Sequence, residues 1–321
     1  MASRVGAPAP PARAQRAGGA VELPQLRVRS RAPGEPRRVA YLYLAPAFLF
    51  YVVFAFVPLA YTAWLSFFDW DGLTVGTWTG LDNYDAILSD PGIRDSFVHA
   101  FELIVFYALL PVVLGLVLAA VIANGRVRGV TFFRAVLFLP QTIATVVVAI
   151  AWVWIYAPRG PLNEVLDAVG LDAVSRGWLG DFTYALPALG LVGTWVMFGL
   201  CLVLFLAGMQ KIPQTLYEAA RVDGAGRVRE FFAVTLPGLR GELAVALTLT
   251  TIMALRTFDL IYVSTAGGPG TSTTVPSVLV YQNAFVNGRV GLAAAVAVVL
   301  TALIFAVAFA ITRLVDRDPG R

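Results

Sequence analysis

The sequence predicts an all-α integral membrane protein with six transmembrane helices. Three observations predict it. Apolar residues make up 58% of the 321 and charged residues only 14%, too little charge to cover a soluble domain of this size. Six apolar runs, at about 40–68, 101–123, 135–157, 184–209, 243–263 and 290–313, reach the roughly 17–25 residues that a bilayer crossing needs. Lys and Arg alternate between the connecting segments, as expected when basic residues resist translocation.

Residues 1–39 are rich in Pro, Ala and Arg and lack the sustained apolar pattern of a core. They read as a disordered basic tail that touches anionic headgroups. They are not a secretory signal, because the first long apolar run starts at Ala40 and is long enough to span and remain. The loop after span one is acidic, with Asp69, Asp71, Asp82, Asp85, Asp90 and Asp95. Pro140 and Gln141 interrupt the apolar run of span three. Span four carries Gly190, Gly193 and Gly199, which permit close helix contacts. Span five contains Arg256 and Asp259.

Eight Arg precede residue 40, and Arg126, Arg128 and Arg134 follow span two. Lys211, Arg221, Arg227, Arg229 and Arg240 follow span four, and Arg313, Arg317 and Arg321 follow span six. Nineteen of the chain's 24 Lys and Arg thus fall on one side and four in the opposite loops, with Arg256 inside a span. This places both termini and the loop after span four in the cytoplasm, and it accounts for the net charge of +4 as topology. No soluble domain is available to present a nucleic-acid surface.

The same inventory narrows the chemistry. A single Cys201 allows no intramolecular disulfide, and His99 is the only histidine, so the inventory argues against a His–Cys–carboxylate metal cluster or a histidine base. No cofactor is implied. No converging catalytic spacing appears, and Arg256 and Asp259 are too few to build a channel filter. A secondary transporter fits the hydropathy but leaves the loop after span four without a purpose.

That loop, "EAARVDGAGRVREFF" from Glu218 to Phe232, is the most charged stretch in the second half of the chain. Pro213 suits a helix start, with Gln214 to Val222 as the body, and Gly224 permits a positive φ at which the chain turns. A second piece places Val228, Phe231 and Phe232 on one face, and Leu236-Pro237 ends it. Neither piece is long enough to be stable alone in water. Each docks either on a protein partner or on the membrane surface.

Glu218-Ala219-Ala220, Gly224 four positions on, then Val234, Thr235 and Leu236-Pro237 resemble the cytoplasmic signature of permease subunits in binding-protein-dependent ABC importers. The family usually has Ile at the Val234 position, and often a Pro where this chain has Arg240-Gly241. "WTGLDNY", "FFRAVLFLP", "WVWIYAPRGPLNEVL", "TWVMFGLCLVLFLAGMQKIPQTLYEAARVDGA" and "FDLIYVSTAGGPGTST" are similar to the carbohydrate-uptake branch, the maltose- and glycerol-phosphate-type permeases.

The resemblance implies a type-1 permease fold. It assigns 40–96 to the first helix and outer loop, 97–313 to the type-1 transmembrane domain, and 314–321 to a cytoplasmic tail. It implies a second related permease, two cytoplasmic ATPase subunits, an extracytoplasmic solute-binding protein and a sugar substrate. The chain itself has no GxxxxGK[ST] phosphate loop. Glu218, Ala219, Ala220, Asp223, Gly224, Leu236 and Pro237 are the implied ATPase-coupling residues. Asp223 has the alternative role of capping the second piece, and Arg221, Arg227 and Arg229 read as ordinary solvated charges. Sugar-lining positions fall at Gln141, Thr145, Gly193, Met197, Leu200, Met253, Ala254 and Thr257 by the same resemblance. Arg256 and Asp259 join them because ionisable groups at membrane depth are functional candidates, although their i, i+3 spacing favours a structural salt bridge. Trp152, Trp154 and Tyr156 read as an interface belt that also suits sugar stacking. The outer loop Thr265 to Pro276 either faces the binding protein or is a plain flexible connection.

Overall fold

A computed structural model describes residues 37–124 and 129–315. The basic tail before Arg37, Arg126, Arg128 and the chain beyond residue 315 lie outside the described residues. The chain divides into two compact units, Met1–Val53 and Phe54–Arg321. In the first, helix α1 (Arg37–Tyr51) begins three residues before the expected span.

The second unit opens with α2 (Val57–Leu65). A departure from an all-helical reading follows, because Phe68–Asp69 (β1) pairs antiparallel with Thr77–Trp78 (β2). Asp71 builds the turn of this hairpin: its Oδ1 accepts from the backbone N–H of Leu73 at 2.8 Å and of Thr74 at 2.7 Å. Helix α3 (Asp82–Ser89) comes next. Helix α4 (Pro91–Ile104) then runs through a π turn into α5 (Leu110–Asn124). This membrane helix starts ten residues before the expected 101. Asp90 caps it, accepting from Gly92 N–H at 2.8 Å, and Pro91 sits in its first turn, so the cap rather than the hydropathy sets the start.

Span three is not one helix, which corrects the continuous run 135–157. Helix α6 (Val130–Thr142) stops at Ile143, which is extended, and α7 (Thr145–Ile155) leaves after Ala144 at 96° to it. Apolar side chains on both sides of Ile143 hide this break from hydropathy. After α8 (Pro161–Ala168) comes α9 (Ala185–Met209), buried at 16 of its 25 positions. It packs against α5 and α6 and forms the centre of two of the three apolar cores. Its small residues make this possible. A Cβ on Gly193 would overlap the Tyr107 ring, and one on Gly199 would overlap the backbone carbonyl of Leu137.

The polar loop forms α10 (Gln214–Val222) and α11 (Arg227–Glu230), continuing through a π turn (Phe231–Thr235) into α12 (Leu236–Gly238). Leu236-Pro237 therefore does not end the second piece. Leu236 N–H bonds back to Phe231 C=O, and this wider turn carries the chain past Pro237, which has no N–H to donate.

Span five also breaks. Helix α13 (Arg240–Leu255) stops at Arg256, and α14 (Asp259–Thr265) resumes after Phe258. Helix α15 (Pro276–Tyr281) was not expected, and α16 (Val290–Val315) packs on α13 and α2. Among the described residues, five helices are long and apolar enough to cross a membrane, and the α6–α7 pair makes a sixth if it counts as one span.

Candidate functional site

A cavity of about 400 Å³ lies where the two breaks meet α9. Thr145 and Val148 line it from the start of α7, and Val192, Val196 and Met197 from α9. Met253, Arg256, Thr257, Phe258 and Asp259 line it from the break in span five. Tyr107 closes one side, and its hydroxyl lies 3.3 Å from Thr257 Oγ1. The Ser277 hydroxyl donates to the Thr257 carbonyl, so that residue is held through both side chain and backbone. The break frees backbone and polar groups that an intact helix would keep for itself, and irregular backbone at membrane depth is tolerated where it lines a cavity.

Six of the ten sequence-predicted path residues come together here: Thr145, Met197, Met253, Arg256, Thr257 and Asp259. Four do not line the cavity. Ala254 is fully buried in the core, and Gly193 packs behind the Tyr107 ring. Leu200 lies one helical turn below Met197 on α9. Gln141 lies in the last turn of α6, where its Oε1 is buried without a hydrogen-bond partner among the described residues.

The salt bridge favoured for Arg256 and Asp259 does not form; both side chains are exposed at the cavity. The i, i+3 rule assumes a continuous helix, and the backbone breaks between them. Asp259 instead opens α14, where a carboxylate complements the helix dipole. Tyr107 and Phe258 escaped the sequence reading because each sits in an apolar run like many other aromatics.

The polar loop is built as a clamp. Helix α10 has no buried residue, leaving Glu218, Ala219 and Leu216 exposed. Gly224 takes φ 78°, and nothing lies within 4 Å of where its Cβ would be. The Arg221 guanidinium grips Glu230 twice, Nε to Oε2 at 2.8 Å and Nη2 to Oε1 at 3.2 Å. Those hydrogen bonds push the Arg221 guanidinium further above its ordinary value. Tyr217 and Thr235 hydroxyls add a second tie at 3.2 Å. Arg221 is thus a specific contact, correcting its reading as a solvated charge. The signal was available, since Glu230 is the one acidic residue of the second piece. Asp223 closes α10, while Gly226 opens α11, so Asp223 does not cap the second piece. Val228 and Phe232 are exposed, and Phe231 is half-buried. Lys211 Nζ, just beyond α9, pairs with Glu242 of α13 at 2.9 Å.

Residues 112–320 match the family described as "Binding-protein-dependent transport system inner membrane component". The chain belongs to this family.

Relatives of this permease agree. It is 38% identical over 82% of its length to a probable ABC transporter permease protein, YurN of Bacillus subtilis, covering 90% of that protein. It is 35% identical to the trehalose/maltose transport system permease protein MalF of Thermococcus litoralis, over 83% of this chain and 90% of that one. It is 32% identical to the diacetylchitobiose uptake system permease protein NgcF of Streptomyces coelicolor, over 93% of each. In fold, it is similar to a chain of a bacterial ABC transporter involved in import of the acidic polysaccharide alginate. The TM-score is 0.74 at 22% identity, over 87% of this chain and 96% of that one.

The segments that follow α7 and α14 are internally bonded. Asn163 is a buried hub: its Nδ2 donates to the Arg176 carbonyl at 2.7 Å, and its Oδ1 accepts from Trp178 Nε1 at 2.9 Å. Tyr156 is a core residue whose hydroxyl donates to the Ala188 carbonyl at 3.0 Å. Only Trp154 of the three belt candidates is exposed. The Thr265–Pro276 loop folds on itself, with Thr265 and Thr273 hydroxyls 2.8 Å apart and His99 Nδ1 2.8 Å from the Thr274 carbonyl.

Proposed function

We propose that this permease forms one half of the membrane path of an ATP-driven importer for a sugar or sugar derivative. It crosses the membrane six times, with the bent α6–α7 pair as the third span and both termini cytoplasmic. It works with a second related permease, two cytoplasmic ATPase subunits and an extracytoplasmic solute-binding protein. The observation that carries the substrate reading is the cavity at the two breaks. It offers hydroxyls from Thr145 and Thr257, charges from Arg256 and Asp259, and an aromatic face from Phe258. Sugars are bound by such mixtures of hydrogen-bonding groups and apolar ring faces. Two of the named relatives are described as permease proteins of a trehalose/maltose transport system and of a diacetylchitobiose uptake system.

Coupling runs through the polar loop. Docking of α10 on an ATPase subunit buries Ala219 and Leu216, a face that no described residue covers. The Arg221–Glu230 grip moves α11 with α10, and the chain leads from α11 through Gly238 directly into α13. The other end of α13 is the break at Arg256 that lines the cavity. ATPase closure thereby reaches the sugar site through one continuous stretch of chain, assisted by the Lys211–Glu242 tie between α9 and α13.

The test is co-purification and uptake with Glu218→Ala. Loss of ATPase binding and of uptake together is expected. Normal binding with normal uptake would show that α10 lies on the membrane instead.

A further inference from the structure

We propose that a second cavity, at the base of the polar loop, is a binding site for the phosphate group of an anionic phospholipid. This rests on the reading above that the loop faces the cytoplasm. The cavity measures about 720 Å³ and lies between the end of α5, the start of α6, the end of α9 and α10. Among the described residues, no acidic side chain lines it, whereas Arg134, Lys211 and Arg221 do.

The three cations are not equivalent. Lys211 is committed to Glu242 and Arg221 to Glu230. Arg134 has no ion pair or hydrogen bond among the described residues, and its Nε is buried without a partner. A buried, unmatched donor on a charged group is unfavourable. Guanidinium presents a planar fork that fits phosphate oxygens two at a time. Gln210 and Gln214 line the same cavity as further donors.

The rest of the lining sorts lipid from free anion. Ile122, Ala123, Leu206, Met209 and Ile212 add apolar lining beside the cations. A free phosphate would gain nothing from those side chains, whereas the glycerol and first acyl carbons of a phospholipid would bury against them. Basic pockets between membrane helices on the cytoplasmic side are suited to anionic headgroups.

The experiment is native mass spectrometry of the full-length chain with its co-purifying partners, titrated with phosphatidylglycerol, phosphatidylcholine or inorganic phosphate. Phosphatidylglycerol is expected to be retained in preference to phosphatidylcholine. Arg134→Gln should weaken that retention by about tenfold, the scale of a lost charge-assisted hydrogen bond. Arg134→Lys, which keeps the charge without the fork, should fall between. Ala123→Trp fills the apolar side without touching a charge and should displace the lipid too, which keeps the test decisive if Arg134→Gln does not assemble.

Equal retention of both lipids, or unchanged retention in these variants, would overturn the site. Competition by inorganic phosphate at equal concentration would assign it to a free anion. Release of an ATPase subunit rather than lipid by Arg134→Gln would assign it to a protein partner. Lipid retention is read without transport, so its failure leaves the function proposed above untouched.

Discussion

Replacing Gly224 isolates the backbone geometry of the polar loop from its packing. The residue has φ 78°, and a Cβ there would meet no atom within 4 Å. A substitution thus adds no clash, and its whole effect is the strain of holding a side chain in the left-handed region. That strain is about 1–2 kcal/mol for an ordinary L residue and greatest for a β-branched one. In population terms the native turn falls by roughly 5- to 30-fold relative to alternatives. Asn tolerates this region best, so the expected order of retained function is Gly, Asn, Ala, Val. The assay is co-purification of the ATPase subunits with each variant, together with transport-coupled ATP hydrolysis. Because the apolar cores lie elsewhere, thermal stability of the membrane portion should change little across the series. Equal ATPase binding and coupling for Gly and Val would refute the argument that the angle between α10 and α11 matters.

Other outcomes follow from single contacts. Arg221→Ala should increase hydrogen exchange across 214–238 more than Glu230→Gln does, because it strands a carboxylate that is only 7% exposed. Gly193→Ala should destabilise the purified permease by about 1–3 kcal/mol in thermal or denaturant unfolding, the usual scale of overpacking, by driving a methyl into Tyr107. Thr257→Val should alter sugar preference or rate, measured by uptake across a sugar panel, while costing about 1 kcal/mol for the Tyr107 hydrogen bond. The Asp71 turn has a pH signature. Backbone N–H donors from Thr74 and Leu73 lower its carboxyl below the ordinary 3.8. A depressed folded value stabilises the turn above the unfolded pKa, and that contribution is lost as pH falls through the lowered one. Hydrogen exchange of 68–78, corrected for intrinsic rates, should show constant protection from pH 8 to 5 and a loss only below 3.8.

What the sequence made legible was whatever composition and local turn chemistry decide. Gln214–Val222 forms with the expected bounds, and Gly224 has the expected positive φ. Four of the long membrane helices lie close to their apolar runs. The two breaks were not legible, because Ile143, Ala144, Thr257 and Phe258 are as compatible with a helix as their neighbours. Missing the second break led directly to the wrong partner for Arg256. Long-range ties such as Arg221–Glu230 and the Asn163 hub join residues nine to fifteen positions apart, beyond any single helical period. The cavity was visible only residue by residue. Its polar members stood out against apolar runs, whereas Tyr107 and Phe258 blended into them.

The central claim is that this permease moves sugar only as part of an ATP-driven assembly. The most direct measurement is uptake of a labelled sugar panel into proteoliposomes, comparing the chain alone with the chain and its co-purified partners. ATP on the ATPase side is compared with an imposed proton or sodium gradient. Uptake should require the complete assembly, binding protein and ATP, and should ignore the gradient. Uptake by the chain alone, or driven by the gradient without ATP, would contradict the account.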